Sequence, residues 1–190
     1  MQDTTSGDNI VEFGSNGHIF ATGNIAARAT GTYQESDEGD NTLKIGPGGT
    51  VTATAAGEAR AIEQRHTTAG DNTVLIGSNV ALKVTAGIGA RGIFQQVLND
   101  ENTVEIGENG TLTVTAAGEA RGILQAAILG TSNILIGSNG RISVTGSTVV
   151  EGIRQSTNSG TNTGVYGAGT RIDVNALTGD SAAIIQNAFF

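Results

Sequence analysis

Four acidic residues recur at one position of the chain, at intervals of 32, 31 and 30 residues. They are Asp8, Asp40, Asp71 and Glu101, and each directly precedes an asparagine. Carboxylate oxygens are the ligands that Ca²⁺ prefers, and acids stacked on one another repel unless a cation or an arginine compensates them. The column therefore predicts a calcium site, and calcium is the only cofactor that the sequence suggests. A hydrated corner, where acidic residues favour turns, is the competing interpretation.

Arginine forms a second recurring column. Its members are Arg28, Arg60, Arg91 and Arg121, with Glu151 at the next position. Guanidinium groups suit carboxylate recognition, so the column is a candidate site for an anionic surface glycan. Glu58 and Glu119 lie two residues before Arg60 and Arg121, so ion pairing between exposed side chains explains the column without a ligand.

An apolar corner is the candidate site for a protein partner. Phe94 and Leu124 occupy equivalent outward positions, and Leu98 and Leu129 follow them in the next turn. If these four side chains are exposed, they form a contiguous patch suited to another chain. The equally favoured alternative is that the turn folds over and buries them.

Catalytic constellations are not evident in the sequence. His18 and His66 fall at different positions of the repeat, and the chain has no cysteine, phosphate-binding loop or nucleophile elbow. β-Helix enzymes that act on carbohydrates concentrate acids and bases on a few coils, usually with inserted loops. Here the repeats are almost uniform, so we expect no enzyme activity and keep a carbohydrate-active enzyme as an alternative.

The elements that would position these columns follow from an internal repeat of about thirty residues. An apolar-glycine step recurs at Gly14, Gly46, Gly77, Gly107, Gly137 and Gly167. Each unit contains three short segments in which apolar and polar residues alternate, as in Val104/Ile106, Leu112/Val114 and the segment around Ile123. This period of two predicts half-buried strands. The fold expected is all-β: a single-stranded parallel β-helix, or β-solenoid, of six coils with three strands each, forming one domain over residues 1–190.

Two columns of amide residues fall on the same face of their strands as the buried apolar residues. The first contains Asn9, Asn41, Asn72, Asn102 and Asn162, with Ser132 in the fifth coil. The second contains Gln64, Gln95, Gln125 and Gln155, and extends to Gln186. Stacked amides can satisfy one another and the turn backbone, so we interpret both columns as inward structural ladders.

The composition argues against two classes of partner, nucleic acid and the membrane interior. The chain carries 18 acidic and 10 basic residues, a formal charge of −8, and no basic cluster, which disfavours nucleic acid. No apolar run approaches the length of a membrane span, and residues 1–3 open on polar residues rather than an apolar signal core.

The motifs resemble a family. An Asn-Thr-Val strand (residues 102–104), a Gly-Thr-Val-Thr strand (49–52) and an Ala-Arg-Gly-Ile strand (120–123) are similar to the β-solenoid repeats of large secreted bacterial proteins. These include autotransporter passengers and the repeats beside hemolysin-type calcium-binding modules. The resemblance extends from about Gly7 to Gln186 and implies right-handed coils, export, and roles in adhesion, display or toxin scaffolding. The glycine-aspartate nonapeptide of the hemolysin repeats does not occur in this sequence.

The expected function is that of a non-catalytic structural or adhesive segment, secreted or displayed on a bacterial surface, with its signal outside this sequence. A calcium-binding hemolysin-like module is the main alternative. Neither end shows a capping element, and Ala188, Phe189 and Phe190 are apolar residues that we expect to be buried. We therefore expect a segment of a longer protein, or ends that contact other segments or copies of the chain.

Overall fold

The computed structural model describes residues 1–24 and 27–188 and shows a β-solenoid built from three parallel sheets. Each coil contributes one strand to each sheet, and every strand pairs in parallel with the strand one coil away. There are about six coils of about thirty residues, and the described residues contain no helix. The fold class predicted from the sequence is confirmed.

The first sheet has seven strands, and we call it sheet A. Its strands are β1 (Gln2–Ser6), β4 (Ala29–Glu38), β7 (Glu58–Ala69), β10 (Gly89–Val97), β13 (Glu119–Ala127), β16 (Val149–Thr157) and β19 (Asp180–Ala188).

The second and third sheets have six strands each. Sheet B contains β2 (Asn9–Phe13), β5 (Asn41–Ile45), β8 (Asn72–Ile76), β11 (Asn102–Ile106), β14 (Ser132–Ile136) and β17 (Asn162–Tyr166). Sheet C contains β3 (His18–Gly23), β6 (Thr50–Ala55), β9 (Ala81–Ala86), β12 (Thr111–Ala116), β15 (Arg141–Gly146) and β18 (Arg171–Ala176).

The core is a set of aliphatic columns that run along the stack. Val104 pairs with Ile134, and Leu112 pairs with Ile142, so each apolar side chain lies against its equivalent in the next coil. Ile123 in sheet A completes the layer of its coil. Ile123 and Val104 are fully buried, and Leu112 is 1% exposed. Branched aliphatic residues suit this packing because they fill the space between stacked strands.

Tight turns between sheets B and C depend on one asparagine per coil. Asn16, Asn79, Asn109 and Asn139 have φ between 54° and 59°, the left-handed region that asparagine tolerates better than most residues. Glycine takes the same place in two coils, as Gly48 and Gly169. The Ser-Asn-Gly and Glu-Asn-Gly sequences were the signal for this turn, and our sequence analysis did not use it.

The two end coils differ from the middle ones in burial. Val11, Phe13 and Ile19 are only partly buried at one end, and Ile172 and Val174 are partly buried at the other. Ala188 is exposed, contrary to expectation, and Phe189 and Phe190 lie outside the described residues. No helix in the described part of the chain is long and apolar enough to cross a membrane.

Candidate functional site

The asparagine column forms a buried hydrogen-bonded ladder along sheet B. Asn9 donates to Asn41 Oδ1 over 2.9 Å, Asn41 donates to Asn72 over 3.0 Å, and Asn72 donates to Asn102 over 3.1 Å. The same amide groups also donate to a main-chain carbonyl of their own coil, such as Gln96 O for Asn72. These four side chains are at most 2% exposed. The ladder therefore ties each coil both to itself and to the next coil.

Ser132 interrupts the ladder. Its hydroxyl is fully buried, and no group of the described residues forms a hydrogen bond with it. Asn162 Oδ1, one coil further, is also buried and has no hydrogen-bond partner in the described part of the chain. Serine is too short to replace an asparagine that bridges two coils, so the fifth coil loses one rung on each side.

Replacing Ser132 with asparagine should restore the ladder. We expect Ser132→Asn to raise the free energy of unfolding by ~1–3 kcal/mol, because the new amide gives Asn162 Oδ1 a donor and accepts from Asn102. Chemical denaturation monitored by circular dichroism measures the change. Ser132→Ala is the control, and an Asn variant no more stable than the Ala variant would contradict the ladder account.

The glutamine column forms a second ladder at the corner between sheets A and B. Gln95 Nε2 donates to Gln64 Oε1 over 2.9 Å, and Gln125 Nε2 donates to Gln95 Oε1 over 2.8 Å. Gln155 donates to Gln125, and Gln186 donates to Gln155. The described structure extends the ladder in the other direction through Gln34, which accepts from Gln64 over 2.8 Å and which the sequence analysis did not include.

The two ladders have opposite polarity. Each asparagine donates towards the coil that follows it in sequence, whereas each glutamine donates towards the coil that precedes it. Gln95 Nε2 also lies 2.9 Å from Asn72 O and 3.0 Å from Thr103 O, both in sheet B. The glutamine side chains therefore connect the two sheets as well as neighbouring coils.

The acidic column is a set of side chain to main chain hydrogen bonds between coils. Asp8 Oδ1 accepts from Asp40 N over 3.0 Å, Asp40 Oδ1 from Asp71 N over 3.0 Å, and Asp71 Oδ1 from Glu101 N over 2.9 Å. Glu101 accepts from Asn133 over 2.7 Å. Within the described residues, no group of three or more acidic, histidine or cysteine side chains is arranged to hold a metal ion. One oxygen of each aspartate is thus already used by the next coil.

Asp71→Ala should lower the free energy of unfolding by about 1 kcal/mol, because it removes the acceptor for Glu101 N. Asp71→Asn keeps an acceptor oxygen and should cost less. Thermal melts of both variants and of the parent chain, in EDTA and in excess calcium, measure the effect. The calcium hypothesis requires a midpoint that rises with calcium in the parent chain and a smaller rise in Asp71→Asn.

The arginine column differs from the sequence prediction at one position. Thr30, rather than Arg28, pairs with Arg60, because Gly23 aligns with Ala55 at 32 residues and Ala29 aligns with Ala59 at 30. Because two extra residues lie between β3 and β4, the spacing between paired residues changes from 32 in sheet C to 30 in sheet A. Arg28 instead lies 3.3 Å from Glu58.

Two glutamates are buried among these arginines on the outer side of sheet A. The period of two is interrupted here, since Ala61 and Ile62 are both fully buried, and Arg60 contacts Glu63 across the interruption. Arg65 Nε also lies 2.7 Å from the same Glu63 oxygen, although its N–H does not point at that oxygen. Glu63 is fully buried.

The second buried glutamate is Glu151. It is 4% exposed and lies 2.7 Å from Arg121 and 2.9 Å from Arg154. In the column that ends in Glu151, Arg60 and Arg121 therefore belong to an ion-pair network and are not free cations. Sequence analysis identified Glu151 but missed Glu63, which lies outside the column.

The apolar corner is not the continuous exposed patch that one of the two expectations required. Phe94 is only 7% exposed, because the guanidinium groups of Arg60, Arg65 and Arg91 lie 5.2–5.6 Å from its ring centre. Leu98 and Leu124 are partly exposed. Leu129 is 59% exposed, so the solvent-facing part of the corner is at Leu129 and its neighbour Ile128.

Three groups in the described chain have displaced pKa values. Burial, with further contributions from Glu35 and Glu63, raises the pKa of Tyr33 to about 12, so its hydroxyl stays a neutral donor to Glu35. Burial raises the pKa of Tyr166. Burial, followed by the positive charges of Arg60 and Arg121, lowers the pKa of Arg91.

The two histidines occupy unrelated places. His18 is exposed at the start of β3, and its Nδ1 lies 2.6 Å from Thr50 Oγ1. His66 is 4% exposed, and its Nε2 lies 3.1 Å from both Asn41 Nδ2 and Asp71 O. The fold therefore does not bring the two histidines to one site.

Comparison of the chain with models of protein families, with curated proteins and with solved structures found no significant match. The β-solenoid fold is therefore established by the structure, whereas the likeness to autotransporter passengers and hemolysin-type repeats rests on the residue pattern alone.

Proposed function

We propose that the chain is a non-catalytic structural or adhesive segment of a secreted or surface-displayed bacterial protein. The observation that carries this proposal is the pair of amide ladders of opposite polarity, which link successive coils at a corner of the solenoid. Side-chain hydrogen bonds of this kind add to the main-chain bonds between coils. They suit a stiff spacer, because bending the stack would stretch bonds on one side.

The outer surface supports the same role. The buried glutamates Glu63 and Glu151 are each engaged by two arginines, which is a structural arrangement more than one suited to acid–base catalysis. The acidic column is engaged by main-chain amides. The outer columns are thus fixed in place and could present a regular, repeated set of contacts to a surface.

The end coils supply the contact with other β segments. Strands β2 and β3 at one end, and β17 and β18 at the other, each have a neighbour on one side only among the described residues. Open strand edges beside partly buried apolar side chains are a template for pairing with another strand. The partner in this proposal is an adjoining coil of the same geometry, in the same protein or in another copy.

Labelling of intact cells tests the location. An epitope tag placed on the chain in the organism that encodes it should be accessible to antibody and to added protease before lysis, while a cytosolic marker protein stays protected. Detection only after lysis, together with the cytosolic marker, would refute export and surface display.

Force spectroscopy tests the mechanical role. Pulling the purified chain by its ends should give a higher unfolding force than pulling a variant with Gln95→Leu, because that variant lacks rungs on both sides of the central coil. Equal forces for the two chains would remove the ladders from the mechanical account.

A further inference from the structure

One arginine in the network of sheet A lacks a carboxylate partner. Arg60 pairs with Glu58 and Glu63, and Arg121 pairs with Glu119 and Glu151. Arg91 lies between Arg60 and Arg121 in the pairing register, one strand from each. Within the described residues, it has no acidic group at ion-pair distance, and its guanidinium group lies 5.3 Å from the ring centre of Phe94.

The missing carboxylate corresponds to a glycine. Gly89 pairs with Glu58 on one side and with Glu119 on the other, and each of these residues begins its strand two positions before an arginine. Glu58 lies 3.3 Å from Arg60, and Glu119 lies 3.0 Å from Arg121. The third coil thus has an arginine without the acid that accompanies it in both neighbouring coils.

Gly89 leaves open space at that point. A Cβ atom added there would meet only the main-chain oxygen of Glu119, at 3.9 Å, an ordinary contact. A cavity of about 40 Å³ occupies the place, lined by Gly89 together with Glu58, Arg60, Arg91, Glu119 and Arg121. One buried water needs about 10–15 Å³ on this measure, so the cavity has room for about three non-hydrogen atoms. A carboxylate group has three.

We propose that this cavity is a binding site for the carboxylate of a small organic acid or sugar acid, with Arg91 as its main ligand. The bound carboxylate takes the place that Glu58 and Glu119 have in the neighbouring coils, and the planar guanidinium group can donate two hydrogen bonds to it. The flanking Glu58 and Glu119 select a monoanion, because they repel a doubly charged phosphate. This site does not depend on export or on a mechanical role.

Two supporting features make Arg91 a better site than its neighbours. The guanidinium groups of Arg60 and Arg121 are already bound to glutamates, which leaves Arg91 as the one with donors to offer at this cavity. Arg60 and Arg121 also line the cavity, each about one strand spacing, ~4.8 Å, from Arg91, and their own glutamates compensate their charges.

Titration by nuclear magnetic resonance tests the proposal on the full chain. Sodium glucuronate and sodium acetate are added separately at constant ionic strength, and the Nε–Hε signal of Arg91 is followed, with glucose and inorganic phosphate as further probes. We expect saturable shifts with millimolar affinity for the two carboxylates and none for glucose. Similar affinities identify recognition of a bare carboxylate, and tighter binding of glucuronate identifies a sugar acid. Absence of saturable shifts with both carboxylates, or tighter binding of phosphate, would overturn the proposal.

Gly89→Glu and Gly89→Gln provide a matched pair that also works without added ligand. Gly89→Glu supplies the carboxylate from the chain itself, so it should raise the thermal midpoint above that of Gly89→Gln and weaken acetate binding about tenfold or more. Arg91→Gln should abolish the saturable shifts at neighbouring amides while keeping the fold. Equal midpoints for the two Gly89 variants would show that Arg91 does not accept a carboxylate at this place.

Discussion

Gln95→Leu is expected to lower the free energy of unfolding by ~3–5 kcal/mol, because it leaves several buried polar groups in the middle of the stack without a partner. Gln95 is fully buried, its Nε2 lies 2.9–3.0 Å from Gln64 Oε1 and two main-chain carbonyl oxygens, and its Oε1 accepts from Gln125. Leucine fills a similar volume but leaves Gln64 Oε1 and two main-chain carbonyls without this donor. Urea denaturation followed by circular dichroism measures the loss.

The adjacent glutamine is the control for this experiment. Gln96 lies next to Gln95 in β10 but points outward and is exposed. Gln96→Leu should change stability by less than about 0.5 kcal/mol, because surface substitutions away from buried networks have small effects. Similar losses in the two variants would show that the ladder adds no stability beyond strand pairing.

Glu63→Gln should cost about 3–5 kcal/mol, because it removes the negative charge that compensates Arg60 and Arg65 beside a buried phenylalanine. Breaking one partner of a buried ion pair is costly since the remaining charge stays out of water. The measurement is the shift of the denaturation midpoint at constant ionic strength.

Two further variants test the cause. Glu58→Gln removes an exposed partner of the same Arg60 and should cost at most about 1 kcal/mol. Glu63→Leu combined with Arg60→Leu removes a charge of each sign and should cost less than Glu63→Gln alone. If the double variant were the least stable, simple loss of packing would explain the data better than an unpaired charge.

The exposure of the Phe94 side chain could not be predicted from the sequence. Alternation with Ile93 and Gln95 predicts that its side chain points outward to solvent, yet all three side chains are buried. Its exposure depends on Arg60 and Arg65, which lie in the preceding coil and cover its ring. Strand alternation determines which way a side chain points, but only side chains from neighbouring coils decide whether water reaches it.

The arginine column shows a second limit. A count along the glycine column aligns Arg28 with Arg60, because Gly14 and Gly46 are also 32 residues apart. Strand pairing places Arg28 beside Glu58, since the two extra residues lie between β3 and β4. Extra residues in a loop change which residues pair in the strands that follow. A count of residues between two columns does not show in which loop the extra residues lie.

The sequence by itself determined the architecture and the inward columns. A period of two within strands and of about thirty residues between coils leaves stacking in parallel as the arrangement that buries every apolar column at once. Asparagine and glutamine at inward positions have no other way to satisfy their amides than to bond to one another and to the main chain. These features follow from rules that act on each residue and its equivalents.

Only the tertiary structure decided the chemistry of the outer face. The interrupted alternation at Ala61 and Ile62 brings Arg60 against Glu63, and Glu63 is fully buried. The cavity at Gly89 leaves Arg91 without an acidic partner. The repeat pattern already places a glycine at position 89 where the neighbouring coils have Glu58 and Glu119. It does not show that Glu63 is buried against an arginine or that a cavity remains beside Arg91, because charge pairing acts through distances of a few ångströms between different coils. The columns were therefore predictable, and the buried ion pairs and the cavity were not.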